Sequence, residues 1–306
     1  MSWPIGAQAG NASMFGRGWK PGATWRSRRR RFRGRLCPFA SPRNRRMPYV
    51  TYEKRGHVAI MTLNRPERMN ALGRELSAEL REAEAQFATD DDVWLGIYTG
   101  AGDRAFCAGL DLKEAAERGS DAVAGASSGS SPISRFERIA PDHGKPTIAA
   151  INGAAYGGGL EMALTCDIRI CSDSARMALA EVKVGLCPPG GSFNLPRLVG
   201  LSNSMWLLLS GEPVDAEEAL RMGLVTRVVP YPELLDTAVA MGETIVANAP
   251  LAVRATRKLA HLGIEMPRDY ARRMGAMLIE SVWSSEDAVE GARAFAERRA
   301  PDWQMR

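Results

Sequence analysis

The chain has 306 residues, 45% of them hydrophobic and 25% charged, the make-up of a soluble globular protein with one large domain or two small ones. Its net charge of +5 comes from its start: residues 1–46 hold twelve Lys/Arg and no Asp or Glu, so residues 47–306 carry −7. That balance gives no support to a basic nucleic-acid face on the body, and no uncharged apolar run reaches the length of a membrane-spanning helix.

Residues 1–46 are rich in Gly, Pro, Ser and Arg, with the run Arg28 to Arg31, and lack the apolar core of a secretory signal. Three readings are open: a translated upstream region ahead of a start at Met47, an organelle transit peptide, or a basic tail that binds anions. The first is preferred, because folding signals begin just after Met47. On any of them the segment has few residues to bury and is expected to be disordered.

His57 to Leu63 (HVAIMTL) reads as a strand that Asn64-Arg65-Pro66 ends. Leu72, Leu76, Leu80, Ala83 and Phe87 recur at helical spacing and predict one amphipathic helix. Val93 to Thr99 is the next strand, closed by Gly100-Ala101-Gly102. Residues 105–114 (AFCAGLDLKE) form a turn leading into a helix, and residues 119–134 a Gly/Ser-rich loop long enough for a lid. Thr147 to Ile151 predicts a buried strand, Leu160 to Thr165 a helix and Asp167 to Cys171 a strand. Gly185 to Gly191 (GLCPPGG) reads as a loop and Met205 to Leu209 as an apolar helix. Asp215 with Glu218 has the form of a capping box, with Gly223 as the helix end. Val225 to Val229 is a last strand, and from Glu233 the periodicity is helical, through a final charged-faced helix at Ala288 to Arg298. Strands alternating with helices argue for an α/β body with an all-helical tail.

The chemistry concentrates after Ile151. Gly157, Gly158 and Gly159 lie between a strand and a helix, where glycines permit a tight turn and the first helical N–H groups have no partners. Glu161 stands just inside that helix, and Glu181 closes the apolar segment Met177 to Ala180. Bare donors and two carboxylates are what a site needs to bind an oxyanion and move protons. In most chains, though, a glycine triplet is only a turn, and the dipole alone favours a glutamate in a first helical turn. The triplet is neither a dinucleotide fingerprint nor a phosphate loop. AFCAGLDLKE supplies a second turn into a helix about fifty residues earlier, and two such donors converging on one oxygen make an oxyanion hole. Cys37, Cys107, Cys166, Cys171 and Cys187 lack zinc-type spacing and are read as free thiols in a reducing compartment. His57, His143 and His261 lie too far apart in sequence to favour a metal cluster or a histidine triad.

In order, LNRPERMNAL (63–72), AFCAGLDLKE, INGAAYGGGLEMALTCDIRI (151–170), AEVKVGLCPPGG (180–191), LVG (198–200), GEPVDAEEALRMGLV (211–225) and SEDAVEGARAFAERR (285–299) resemble the crotonase superfamily, the enoyl-CoA hydratase/isomerase family, over Tyr49 to about Trp303. The resemblance implies a crotonase-like spiral of ββα units. It divides the chain into the leader 1–46, an acyl-CoA-binding core at 47–245 and a helical oligomerisation region at 246–306. It implies an acyl-CoA thioester substrate, no cofactor beyond the coenzyme A of that substrate, no metal, no membrane, and a homotrimer or dimer of trimers. A cytoplasmic location follows, or a mitochondrial one if the leader is a transit peptide. Carried over residue by residue, the oxyanion donors are the backbone N–H groups of Leu110 and Gly158. Ala108, Gly109, Leu110, Asp111, Leu112 and Lys113 line the thioester and pantetheine, and Asn64 to Leu72 belongs near the CoA arm. Glu161 and Glu181 match the two carboxylates of the hydratases, which implies Glu161 as the base toward water and Glu181 as the donor to the α-carbon, so the expected activity is addition of water across the 2,3 double bond of a 2-enoyl-CoA.

The family shares the hole but not the chemistry. An isomerase of the family, a carnitinyl or branched acyl-CoA dehydratase, and a non-catalytic acyl-CoA- or RNA-binding relative stay open beside the hydratase. The intact glutamate pair favours an enzyme, and the acidic body speaks against RNA. Hydratases carry a run close to Pro-Gly-Ala-Gly-Gly after the second glutamate. Here it is Pro188-Pro189-Gly190-Gly191, one residue shorter, followed by Phe193 and Asn194, which leaves the acyl chain unassigned. Cys107 reads as packing beside the hole, with a thiol as a minor oxidation point. Lys113 is either a contact to a CoA phosphate or a solvated helix charge.

Overall fold

The computed structural model describes residues 47–117 and 142–306; the leader and the 119–134 loop lie outside them. The unit Met47–Arg306 is built on two sheets. The first has six strands in the order β1-β2-β3-β5-β7-β10. β1 (Val50–Arg55) and β2 (Val58–Leu63) form an antiparallel hairpin with Val50 opposite Leu63. β3 (Leu95–Gly100), β5 (Thr147–Ile151), β7 (Ile168–Ser172) and β10 (Arg227–Val229) continue the sheet in parallel. The second sheet has short strands, in the order β4-β6-β8-β9: β4 (Ala105–Cys107), β6 (Ala154–Tyr156), β8 (Arg176–Ala178) and β9 (Val214–Asp215). Three times, at β3 and β4, β5 and β6, and β7 and β8, the chain lays one strand in the first sheet and one in the second before its next α-helix, as in the expected spiral of ββα units.

The apolar runs of the central strands follow from burial on both faces. Ala59, Met61 and Leu63 of β2 enter a core with Leu76, Phe87 and Phe106. Val58 and Ile60 face the other way, into a core with Ile97, Ile148 and Ile170. α1 (Arg74–Thr89) buries Leu76, Leu80, Ala83 and Phe87, the spacing read from the sequence. α2 (Leu112–Glu117) and α3 (Gly158–Thr165) follow β4 and β6. α4 (Pro189–Val199) and α5 (Leu201–Ser210) stack next, and α6 (Ala216–Arg221) starts at the expected cap, where Asp215 accepts the Glu218 N–H at 2.9 Å. α7 (Leu234–Val246) covers the second core with Leu234, Ala238 and Val239.

The helical tail is α8 (Pro250–Glu265), α9 (Arg268–Trp283) and α10 (Glu286–Glu297). Asp167 ties it to the body, accepting from Arg257 Nε at 2.8 Å and facing His261 Nε2 at 2.9 Å.

The structure corrects the sequence reading at α4. GLCPPGG is a loop only as far as Pro188; Pro189 begins an eleven-residue helix. Pro suits a first helical position because no partner is needed there for its missing N–H. Gly191 is tightly packed: a Cβ on it would sit 2.3 Å from Leu179 Cδ1, which would have to shift.

Candidate active site

β6 ends at Tyr156, and the chain enters α3 through Gly157 at φ 51°, ψ −126°, a left-handed conformation that favours glycine. Gly157 donates its own N–H to Ala178 O at 2.9 Å, so the turn is fixed to β8. Against it lies the turn after β4. Gly109 has φ 83°, and a Cβ on it would lie 2.6 Å from the Tyr156 carbonyl oxygen and 3.1 Å from the Gly158 nitrogen. The two glycine turns thus meet backbone to backbone. Neither the Leu110 nor the Gly158 N–H has a backbone partner among the described residues. Ala108 and Leu110 are half-buried and Gly109 and Asp111 buried, while Leu112 and Lys113, on the first turn of α2, are exposed.

Glu161 lies on α3 one turn from these donors and is only 3% exposed. Its Oε1 accepts the N–H groups of Gly190 at 2.8 Å and Gly191 at 3.0 Å. Those are unpaired donors of the first turn of α4, so the carboxylate caps a helix from another part of the chain. Two N–H donors and the positive end of a helix are surroundings that favour an ionised carboxylate.

Glu181 has a different environment. It opens a short 3-10 turn, Glu181–Val184, and its Oε1 lies 3.0 Å from where a Cβ on Gly157 would be, beside the glycine turn into α3. Its Oε2 is buried without a hydrogen-bond partner among the described residues. Burial pushes the carboxyl up to about 7; its own backbone N–H opposes the shift, and the charge of Glu161 adds to it. One carboxylate thus accepts two backbone N–H groups, and the other is buried and raised to about 7, the kind of unequal pair from which a base and an acid can be drawn.

Residues 53–306 match the profile of the family described as Enoyl-CoA hydratase/isomerase. The chain is 44% identical over 253 residues to the (E)-benzylidenesuccinyl-CoA hydratase of Thauera aromatica, covering 82% of this chain and 97% of that one. It is 40% identical over 261 residues to the carnitinyl-CoA dehydratase of Citrobacter koseri, covering 83% and 98%. The chain belongs to the enoyl-CoA hydratase/isomerase family. Among solved structures, an enoyl-CoA hydratase from Bacillus anthracis aligns with a TM-score of 0.79 at 34% identity, covering 84% of this chain and 100% of that one. One from Mycobacterium tuberculosis aligns at 0.77 and 36%, covering 85% and 100%.

In this member of the enoyl-CoA hydratase/isomerase family, the segment 65–72 clamps the Gly109 turn, a role that sequence reading missed. Helical spacing assigned Leu72 to α1, but Leu72 lies ahead of that helix and bridges to Leu110. Its N–H donates to Gly109 O at 2.7 Å and its carbonyl accepts from the Asp111 N–H at 3.3 Å. Asn70, fully buried at φ 54°, donates from Nδ2 to Ala105 O at 2.7 Å. Asp111 is 6% exposed; its Oδ1 accepts the Glu114 N–H at 3.1 Å and its Oδ2 meets Arg65 Nη1 at 2.9 Å. Burial opposes its charge, but the Glu114 N–H and the cations Arg65 and Arg68 outweigh it and hold the carboxyl below the usual range. The residue signal for this clamp was a turn-former, Asn70, in a charged stretch between Leu63 and Leu72. Nothing in the spacing linked it to a turn some forty residues on. Cys107, beside the hole, is fully buried and its thiol is pushed up to about 12, chiefly by burial. Among the described residues no group of three or more His, Cys, Asp or Glu is placed to hold a metal ion, and no helix is long and apolar enough to cross a membrane.

Proposed function

We propose that this enzyme is an enoyl-CoA hydratase, adding water across the 2,3 double bond of a 2-enoyl-CoA thioester. The observation that carries the proposal is the unequal pair: Glu161 accepting the Gly190 and Gly191 N–H groups, and Glu181 raised by burial to about 7 with Oε2 buried and without a hydrogen-bond partner among the described residues. The Leu110 and Gly158 N–H groups bind the thioester oxygen and stabilise the enolate that forms on it. Glu161 takes a proton from water as its oxygen bonds to C3, and Glu181 gives its proton to C2. The pair holds one proton before and after the step. An isomerase moves one proton and adds no oxygen, so it has no need of a second carboxylate. The names of two relatives favour a branched, aryl or trimethylammonium substituent on the acyl group as the alternative to a straight chain. A panel of straight, aryl-substituted and trimethylammonium-bearing 2-enoyl-CoA thioesters tests this. At least one should lose the absorbance of its conjugated double bond; migration of the bond without water uptake would point to an isomerase.

The pH dependence follows from the shared proton. Hydration takes up no net proton, so its equilibrium constant is independent of pH, and kcat/KM must follow one profile in both directions. Glu181 of the free enzyme loses its proton through about 7, and the acid is then missing. Hydration and dehydration should therefore fall together as pH rises through that value. A kcat/KM flat from about pH 6 to 9, read against this titration, contradicts the assignment.

We also propose a homotrimer or a dimer of trimers. Met274, Met277 and Trp283 on α9 and Phe295 on α10 are large, apolar and exposed, and such faces mark association surfaces. Light scattering should report a mass above that of one chain; a stable monomer at micromolar concentration contradicts it.

A further inference from the structure

The clamp leaves one charge to be explained. Asp111 follows the proposed donor Leu110 directly, and its carboxylate is buried. An anion one residue from the hole would oppose the negative charge that the hole must stabilise. Arg65 answers it. Its Nη1 meets Asp111 Oδ2 at 2.9 Å and lies 4.0 Å from Glu114 Oε2, and its guanidinium stacks over the Tyr49 ring at 5.3 Å. The side chain is 14% exposed, and its backbone N–H donates to the buried Asn70 Oδ1 at 2.9 Å. Arg65 is therefore fixed at both ends, by the backbone of the clamp and by the carboxylate next to the donor.

We infer that Arg65 is a positioning residue of the oxyanion hole: through Asp111 it fixes the Leu110 N–H and cancels the carboxylate charge beside the developing enolate. The inference rests on the proposed function and concerns the thioester carbonyl, not the CoA phosphates. Losing one donor of such a hole costs about 10²–10³-fold in kcat. Arg65→Met misplaces a donor and leaves Asp111 uncompensated, so kcat should fall by about 10- to 100-fold with KM changed less than about threefold. The double variant Arg65→Met/Asp111→Asn, which removes both charges and keeps an acceptor for the Glu114 N–H, should recover about tenfold of that loss.

A spectroscopic readout separates positioning from mere packing. Cinnamoyl-CoA bound to the Glu161→Gln enzyme should show a red-shifted absorption, because the hole polarises its conjugated carbonyl. Adding Arg65→Met should abolish most of the shift, and adding Asp111→Asn should restore part of it. If the Met variant does not fold, Arg65→Gln is read by the same criteria. Absence of a red shift in the Glu161→Gln enzyme itself would overturn the proposed function. A red shift and kcat that survive the loss of Arg65 would overturn the inference. With a fall in thermal midpoint alone, that result makes Arg65 a packing residue; with weakened binding of free CoA, it makes Arg65 a phosphate contact.

Discussion

Glu161→Gln and Glu181→Gln should each lower kcat for hydration by about 10²–10⁴-fold, the usual contribution of a general acid or base, with little change in thioester binding. The two variants reach that result by different routes. Glutamine at 161 keeps an oxygen to accept the Gly190 and Gly191 N–H groups, so the start of α4 and the fold should be preserved. Only the charge that draws a proton from water is lost. Glutamine at 181 replaces a carboxyl that burial raises to about 7 and resembles its neutral form, so binding should be spared while proton delivery to C2 stops. Because both groups act in the same addition of water, the double variant should lose far less than the product of the single losses. An isomerase would give a severe effect at one position and a mild one at the other. Full turnover in both single variants would end the catalytic assignment and favour an acyl-CoA-binding protein. Steady-state kinetics on one responsive thioester is sufficient to distinguish these outcomes.

Gly109→Ala should lower kcat/KM by about 10²–10³-fold, the cost of losing an oxyanion donor. Two effects add at this position. The backbone at φ 83° is strained for any residue with a side chain, by roughly 1–2 kcal/mol. The new methyl would also sit 2.6 Å from Tyr156 O and 3.1 Å from the Gly158 nitrogen, wedging the two turns apart. Gly56→Ala is the control: Gly56 has φ 56°, and a Cβ there would meet nothing within 4 Å. It should lower the thermal midpoint and leave kcat/KM unchanged. If Gly109→Ala loses only stability, the two turns do not form the hole.

The parts of this fold that were legible in the sequence are those with a long enough period. The stripe of α1 and the runs of β2, β3 and β5 state their burial directly, because a six-residue strand buried on both faces has no polar position to spare. β1 escaped because its second half, Glu53 to Arg55, is exposed and charged. The second sheet escaped because strands of two or three residues carry no period at all. α4 was concealed by Pro188-Pro189-Gly190-Gly191, which has turn chemistry locally; the helix forms because Glu161, twenty-nine residues earlier than Gly190, takes up its first N–H groups. The carboxylates themselves stood out as acids in apolar surroundings. Their unequal surroundings did not: the division into base and acid came only from the family resemblance, and the physical difference lies in which backbone donors reach each one. The Arg65–Asp111 pair, forty-six residues apart, was likewise invisible without the fold.

Addition of water to the acyl group at this site is tested most directly with heavy water oxygen. A responsive 2-enoyl-CoA is turned over in water enriched in oxygen-18, and the thioester is then read by mass spectrometry. The expected result is one heavy oxygen in the acyl product of the wild-type enzyme, at C3, with its rate of appearance falling together in Glu161→Gln and Glu181→Gln. A product that forms without heavy oxygen, or no product from any 2-enoyl-CoA of the panel, would contradict it.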